Sequence, residues 1–244
     1  MSFATYTRME LRRTFRNRRF FIMSLAFPIV LYFAIAGPNR GVGDLGGTGI
    51  SAPVYFMVGM IGFGSMSAML STGARIATER AAGWNRQLRL SPLPPGAYFR
   101  AKLLNAYVVT AITITMLYLA GAILGVRLPA GRWLEMTGLI LVALVPFAAL
   151  GIAIGHLLTP DSVGPAIGGG LGLLAFLGGT WFPITSGVMH DIAEGLPSYW
   201  LVQASHVALG GGGWSITGWI VVAAWTVALS ALAIRFYRRD TQRV

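Results

Sequence analysis

Charge is scarce in this 244-residue chain, and cysteine is absent altogether. Only 11% of the residues are charged and 55% are hydrophobic, whereas a soluble domain carries about 25% charged residues. Too few polar side chains remain to cover a surface in water, so long apolar segments must face lipid. The lack of cysteine excludes disulfides, Cys-ligated metal sites and thiol catalysis. The sequence therefore predicts an all-α integral membrane protein.

Ionisable residues are almost missing from the apolar segments themselves. Among the acidic residues and histidines, only His156 lies inside a predicted span, and Glu135 sits at a boundary, while Arg100, Lys102 and Arg235 lie near the ends of theirs. A proton- or sodium-coupled carrier keeps Asp, Glu or His on its ion path, so that class is disfavoured. The sequence also lacks an arginine-rich voltage sensor, a selectivity filter and the GxxxxGK[ST] motif that binds ATP phosphates. If the chain moves a molecule, a separate chain must supply the energy.

Six segments are long and apolar enough to cross the hydrocarbon core as helices of about 20 residues. The predicted spans are 20–37, 52–74, 98–124, 134–158, 163–182 and 214–237. No internal repeat and no stretch long enough for a soluble domain is visible. We expect residues 1–244 to form one membrane domain.

The basic residues predict the orientation of these spans. The net charge of +11 comes from 18 arginines and a single lysine, Lys102. Six basic residues precede span one, six surround the connection between spans two and three, and four follow span six. The opposite side of the membrane has three basic residues, Arg40, Arg127 and Arg132. Positively charged loops stay in the cytoplasm, so both termini are predicted to lie on the cytoplasmic side of the cell membrane. Because the charges lie in short blocks beside apolar runs, anionic lipid is the expected partner and nucleic acid is not.

Residues 79–95, ERAAGWNRQLRLSPLPP, form the most polar connection. Apolar residues recur at helical spacing here and just before: Ala77, Ala81, Trp84 and Leu88. This stripe predicts a helix that lies flat at the membrane surface, and the prolines that follow end it before span three. We interpret 76–95 as a loop that docks a partner. The alternative, a basic connection that only fixes topology, stays open on these features alone.

The last connection, 183–213, contains no lysine or arginine and mixes acidic residues with Tyr199 and Trp200. It is too polar to span the membrane and too apolar for a free loop. We expect short helices that lie in, or dip into, the outer interface as a re-entrant segment.

The 79–95 loop also resembles a signature of the ABC type-2 permeases, the membrane halves of many bacterial exporters. That family shows four features in a fixed order in this loop. They are a Glu-Arg pair, then a Gly, then a Leu-x-x-Ser-Pro-Leu run, and finally a Lys at the start of span three. The matching positions are Glu79, Arg80, Gly83, Leu88, Ser91, Pro92, Leu93 and Lys102. LGGTWFP at 177–183, followed by LPSY at 196–199, is a second match, and the resemblance covers essentially the whole chain. Trp84 and the Arg86–Gln87 pair depart from the family pattern, so the partner surface is individual to this system.

The resemblance implies six helices that form a homodimer, with each copy resting on one ABC ATPase subunit. ATP and Mg would bind to the two ATPase copies, and this chain would hold no cofactor and no catalytic site. Closure of the ATPase on ATP would push on the 76–95 coupling loop and on the 1–19 interface helix, switching a central pathway from inward to outward opening. The residues implied in ATPase coupling are Glu79, Arg80, Gly83, Trp84, Arg86 and Leu88, with Ser91, Pro92 and Leu93 fixing the loop exit. A secondary interface is formed by Arg8, Arg12, Arg16 and Arg19, for which anionic-lipid binding is an equal alternative.

Spans two and five carry the candidate pathway. Phe56, Met60, Phe63 and Ser67 recur at helical spacing, and apolar aromatic and methionine surfaces adapt to varied apolar ligands. Gly164, Gly168 and Gly172 form a small-xxx-small series that permits close helix approach. For any one of these residues, helix packing or lipid contact is the competing interpretation.

Three functions follow from these features. The first is the permease of an ATP-driven exporter of a drug-like, lipid or natural-product molecule. The second is an intramembrane serine protease of rhomboid type that uses Ser65 and His156, although their order and context do not match that class. The third is a non-transporting membrane partner in an immunity or sensing system, which the sequence does not separate from export.

Overall fold

The computed structural model describes residues 3–17, 22–83, 95–210 and 213–242, with the backbone alone for Met23, Pro95 and residues 240–242. These residues form helices and connections without a strand. A π-helical turn, Ile22–Ala26, leads into the second α-helix, and a 3-10 helix, Ala204–Leu209, follows the ninth. The α-helices, numbered in chain order, are α1 Phe3–Arg16, α2 Phe27–Ala36, α3 Ala52–Ala81, α4 Pro95–Ile123, α5 Ala130–Ala143, α6 Val145–Leu157, α7 Pro160–Leu177, α8 Val188–Glu194, α9 Pro197–Gln203 and α10 Ile216–Gln242.

Four stretches of the described chain are long and apolar enough to cross a membrane. They are Ala52–Ala81, Gly96–Ile123, Ala130–Leu157 and Ile216–Arg239. The third consists of α5 and α6, which are interrupted at Leu144, just before Pro146. Predicted spans one and five are also helical, but they are shorter or less apolar: Ser24–Ala36 is a short apolar helix, and the 18 residues of α7 include Asp161, Pro165 and a glycine run.

Helix α3 is the centre of the bundle, with α2, α4, α6 and α7 packed around it. In its most apolar window 83% of the residues are buried inside the protein, against 22% for α10 at the periphery. Small residues bring α3 and α6 together: a Cβ on Gly73 would collide with the carbonyl oxygen of Gly151. The central helix therefore transmits any displacement to four neighbours.

The end of α3 corrects one prediction. Residues 76–81 do not start a separate surface helix, because they continue α3 to Ala81. Ile76 and Ala77 are buried, so the apolar stripe extends the span. At about 1.5 Å per residue, 30 residues measure about 45 Å, well beyond the hydrocarbon core of about 30 Å. Gly83 follows with a φ of 71°, the left-handed conformation that commonly ends a helix.

We refer to the end of the bundle where α3 ends and α4 begins as the loop end, and to the opposite end, which carries α8 and α9, as the far end. The short helices expected in 183–213 are present there as α8, α9 and the 3-10 helix. Residues 197–202 of α9 are all buried, and Leu201 packs onto Gly62 of α3. The segment is therefore seated on the central helix.

Candidate coupling site at the loop end

Three charged side chains from three helices meet at the loop end. Lys102 Nζ of α4 lies 3.0 Å from Glu10 Oε2 of α1 and 2.6 Å from Glu79 Oε1 of α3. Glu10 and Lys102 are 1% exposed and Glu79 is 8% exposed. We call Glu10, Lys102 and Glu79 the ion triad. Because each residue belongs to a different helix, the ion triad joins α1, α3 and α4.

Further polar groups complete the coordination of the two carboxylates. Tyr98 donates its hydroxyl proton to Glu79 Oε2 at 2.7 Å, and Tyr6 donates to Glu10 Oε1 at 3.4 Å. Arg13 Nη1 lies 3.7 Å from Glu10 Oε1 and 3.5 Å from Glu79 Oε1, at the solvent edge of the cluster. Buried charges are tolerated only when paired and hydrogen-bonded in this way.

Arg80 connects α3 to a fourth helix. Its Nη1 donates to the carbonyl oxygens of Gly155, at 3.2 Å, and of His156. These carbonyls belong to the last turn of α6, where helix C-termini leave oxygens without a helical partner and favour a cation. The Glu79–Arg80 pair therefore ties the end of α3 to α1, α4 and α6.

The residues predicted to contact the ATPase divide into two groups. Glu79, Arg80 and Gly83 are described, and the carboxylate of Glu79 is engaged inside the chain rather than at its surface. The remaining loop residues, Trp84, Arg86, Leu88, Ser91, Pro92 and Leu93, lie outside the described residues, as does Arg19. Arg8, Arg12 and Arg16 of α1 are exposed. They occupy the side of α1 away from its buried residues, Tyr6, Thr7, Glu10 and Thr14.

The candidate pathway residues on α3 have different surroundings. Phe56 and Met60 are buried in the core of the protomer. Beside Phe56, Tyr55 donates to the carbonyl oxygen of Gly179 in the segment after α7. Phe63 and Ser67, one and two turns nearer the loop end, are half-buried. Phe63 packs against Phe27 at 5.9 Å and Trp181 at 5.6 Å between ring centroids.

The glycines of α7 face away from the rest of the protomer. Gly164, Gly168 and Gly172 are exposed, and a Cβ on any of them would meet no other atom within 4 Å. The small-xxx-small series is therefore an open surface within a single copy of the chain.

Ser65 and His156 do not form a catalytic pair. His156 follows Gly155, which packs directly on Gly73 of α3. Ser65 lies eight residues from Gly73 along the same helix, or about 12 Å. A nucleophile and its base need to be within hydrogen-bond reach, so this geometry does not support the protease.

Sequence reasoning missed Glu10 and Tyr98. Glu10 is the only acidic residue among the first 43 residues and stands between arginines. A lone acid in a basic amphipathic segment, together with a lone lysine elsewhere, is the signal that could have identified the pair.

Comparison with known proteins agrees with this arrangement. A family profile described as "ABC-2 type transporter" matches residues 1–209. The protein named "Putative transport permease YvfS", from Bacillus subtilis (strain 168), is 30% identical over 241 residues, which are 96% of this chain and 96% of that protein. Membership of this family implies partnership with an ABC ATPase subunit. The chain belongs to the ABC-2 type transporter family and is a membrane permease of an ABC transporter.

Proposed function

We propose that this permease exports a hydrophobic or amphipathic molecule, such as a drug, natural product or lipid, by alternating access. Two copies of the chain would assemble with two ATPase subunits in the cell membrane, with both termini and the loop end in the cytoplasm. ATP and Mg would bind on the ATPase. The observation that carries the proposal is the fixed loop end of α3, which joins the central helix to three others beside the 84–94 loop.

The contacts at the end of α3 support the proposal that the ATPase pushes on the bundle at this point. The residues after Gly83 leave a helix that Glu79 and Arg80 hold against α4 and α6. Force applied to the loop therefore reaches several spans rather than one. We assign ATPase contact to Gly83 and the loop residues from Trp84 to Leu88, with Ser91 to Leu93 fixing the exit. Glu79 and Arg80 fix the end of α3, from which the loop starts.

The open surfaces of the protomer support the homodimer and its pathway. Between Ala52 and Ala74, helix α3 is buried except for a stripe of Phe63, Ser67, Ser71 and Ala74, all half-buried. Near the same side, Phe27 and Trp181 pack on Phe63. A surface of aromatic rings and hydroxyls without ionisable groups suits an apolar or amphipathic cargo. The exposed glycines of α7 would allow a second copy to approach closely.

Co-expression with a candidate ABC ATPase tests the assembly. Native mass spectrometry should detect two copies of each chain. Arg86→Glu should keep membrane insertion while lowering ATP-dependent transport at least about tenfold, as expected for a central interface residue. Arg40→Glu, an exposed charge reversal in the 38–51 connection, is the matched control and should retain transport. Failure of any ATPase to co-purify would contradict the proposal.

Leucine substitution tests the dimer surface. Gly168→Leu and Gly172→Leu should convert the purified dimer to monomer without changing its melting temperature, because neither glycine touches the rest of its own chain. Gly138→Leu on α5 is the matched control, since it is also an exposed helical glycine with no neighbour within 4 Å. A dimer that survives both α7 substitutions would place the interface elsewhere.

A further inference from the structure

The attachment of α1 to the bundle is mainly polar. The buried residues of this helix are Tyr6, Thr7, Glu10 and Thr14, whereas Phe3 and Phe15 are 40% and 48% exposed. An ordinary surface helix buries its apolar face instead. Tyr6 is the one large apolar side chain of α1 that is fully buried, in a cluster with Ile76, Ala97, Tyr98 and Ala101, and the half-buried Met9 packs against the same cluster. The position of α1 therefore depends on its polar contacts.

The strongest of these contacts is the ion triad, in which one ammonium group serves two carboxylates. Lys102 is the only lysine of the chain, among 18 arginines. A compact ammonium with three donors can bridge oxygens from two directions, whereas the planar guanidinium of arginine suits one bidentate partner. A lysine at this position is therefore suited to linking two helices to a third.

A second contact reinforces the same attachment. Arg75 of α3 donates to the hydroxyl oxygen of Thr14, one turn of α1 beyond Glu10. Its guanidinium lies close enough to Glu10 and Glu79 to interact with both charges. Two successive turns of α1 are thus held by α3 and α4 through hydrogen bonds to charged groups, the stronger class of hydrogen bond.

We infer that the ion triad makes α1 and the loop ends of α3 and α4 one rigid body, so that a push on the coupling loop also moves α1. Glu10, Lys102 and Glu79 are then positioning residues that act through the loop, not contacts with the ATPase. The role in coupling rests on the proposed function, but the rigidity does not. In this arrangement the arginine face of α1 travels with the loop ends of α3 and α4 and presents a second surface to the same partner.

Spin labels can test the rigidity on the permease alone, because the chain has no cysteine of its own. Cysteines replace Arg12 on α1 and Thr78 on α3, two exposed positions outside the ion triad, and the label-to-label distance is measured in lipid nanodiscs. Glu10→Met removes the carboxylate that α1 contributes to the ion triad and leaves Lys102 paired with Glu79. Arg8→Met removes an exposed charge from the same helix as the matched control.

We expect a narrow distance distribution in the parent chain and in Arg8→Met. In Glu10→Met the width should grow to about twice that value or more, as for a locally released element, while the melting temperature changes little. The combination of a preserved melting temperature and a broad distance separates positioning from general stabilisation. If Glu10→Met does not fold, Glu10→Gln replaces it under the same criteria. A distribution as narrow as that of the parent chain would overturn the inference.

A second measurement tests whether α1 and the loop end of α3 move together. In the complex with the ATPase, a reference label at Ser186, exposed at the far end, is paired in turn with the label at position 78 and with a label at Ala4, an exposed α1 position that is not one of its arginines. On addition of ATP and vanadate, both distances should shift together in the parent chain, and only the position-78 distance should shift in Glu10→Met. Independent shifts in the parent chain would overturn the inference. Failure of the ATPase to bind would instead contradict the proposed function, and the measurement on the permease alone would still decide the rigidity.

Discussion

The two ends of the bundle are held together by different chemistry. At the loop end, carboxylates and cations from α1, α3 and α4 meet in the buried ion triad. At the far end, side chains donate to backbone carbonyls: Tyr55 to Gly179, Trp200 to Glu194 at 2.8 Å, and Trp225 to Gly195 at 2.8 Å. The loop end therefore depends on a few shared charges. The far end depends on several separate bonds to backbone carbonyls, and one of these has a charged donor, Arg132, bonded to Ala208 at 2.6 Å.

This difference has a mechanical consequence. A bond to a backbone carbonyl fixes the course of one segment, and its loss leaves the neighbouring bonds intact. The ion triad shares one ammonium between two carboxylates, so the loss of that ammonium weakens the attachment of three helices at once. Loss of the shared ammonium at the loop end should therefore have a large and cooperative effect on stability, and loss of a single bond at the far end a small and local one.

The largest effect is expected from Lys102→Met. Two buried carboxylates would lose their shared partner, and an uncompensated buried charge costs about 3–5 kcal/mol. The free energy of unfolding, measured by denaturant titration in detergent with tryptophan fluorescence, should fall by that amount. The triple variant Glu10→Gln, Glu79→Gln, Lys102→Met should recover much of the loss, because it removes all three charges together. A loss below about 1 kcal/mol for Lys102→Met would remove the contrast between the two ends.

The next largest effect is expected when two buried glycines of α3 are replaced by alanine, one at a time, and the melting temperatures of the two variants are compared. Gly73→Ala places a Cβ against the carbonyl oxygen of Gly151 in α6, whereas Gly62→Ala meets the flexible end of Leu201 in α9. Overpacking against backbone costs about 1–3 kcal/mol. The gain in helix propensity, up to about 1 kcal/mol, should nearly offset the smaller clash at Gly62. Equal melting temperatures for the two variants would contradict this order.

Tyr55→Phe tests one neutral bond of the far end. The substitution removes the donor to Gly179 and keeps the ring, so the free energy of unfolding should fall by about 0.5–1.5 kcal/mol. The same denaturant titration provides the measurement, and the slope should stay unchanged. A loss as large as that of Lys102→Met would show that the far end is as cooperative as the loop end.

The smallest effect is expected from Trp225→Phe. Its hydrogen bond to Gly195 is exposed, and surface changes usually stay within about 0.5 kcal/mol. Loss of the bond should instead increase hydrogen exchange at the end of α8, measured by mass spectrometry. Unchanged exchange there would mean that Trp225 does not hold the segment.

Local patterns predicted much of the helical framework. Helix α3 begins at Ala52 as expected, and α4 and α10 lie within a few residues of the predicted spans three and six. The length of an apolar run fixes these elements because backbone groups in lipid must be satisfied within the helix. The end of α3 was misjudged because Ala77 and Ala81 continue the same periodicity whether the helix lies flat or extends the span.

The ion triad could not be predicted in the same way. Glu10 and Lys102 are 92 residues apart, and nothing local to either residue specifies the other. Lys102 stands beside the other basic residues of the loop between spans two and three, and this position in the sequence does not indicate that its side chain is buried. Phe56 and Phe63 likewise share one helical stripe in the sequence, yet Phe56 is buried and Phe63 is half-buried, a difference that the stripe itself does not specify.

The burial of the only lysine has a practical consequence. A protease that cleaves after lysine has one possible site in the whole chain, between Lys102 and Leu103, and that site lies within α4 beside a side chain that is 1% exposed. Cleavage would yield two fragments, 1–102 and 103–244, and only from molecules in which this region has opened. The rate of a single proteolytic cut would thus report how often the loop end opens, without any label or substitution.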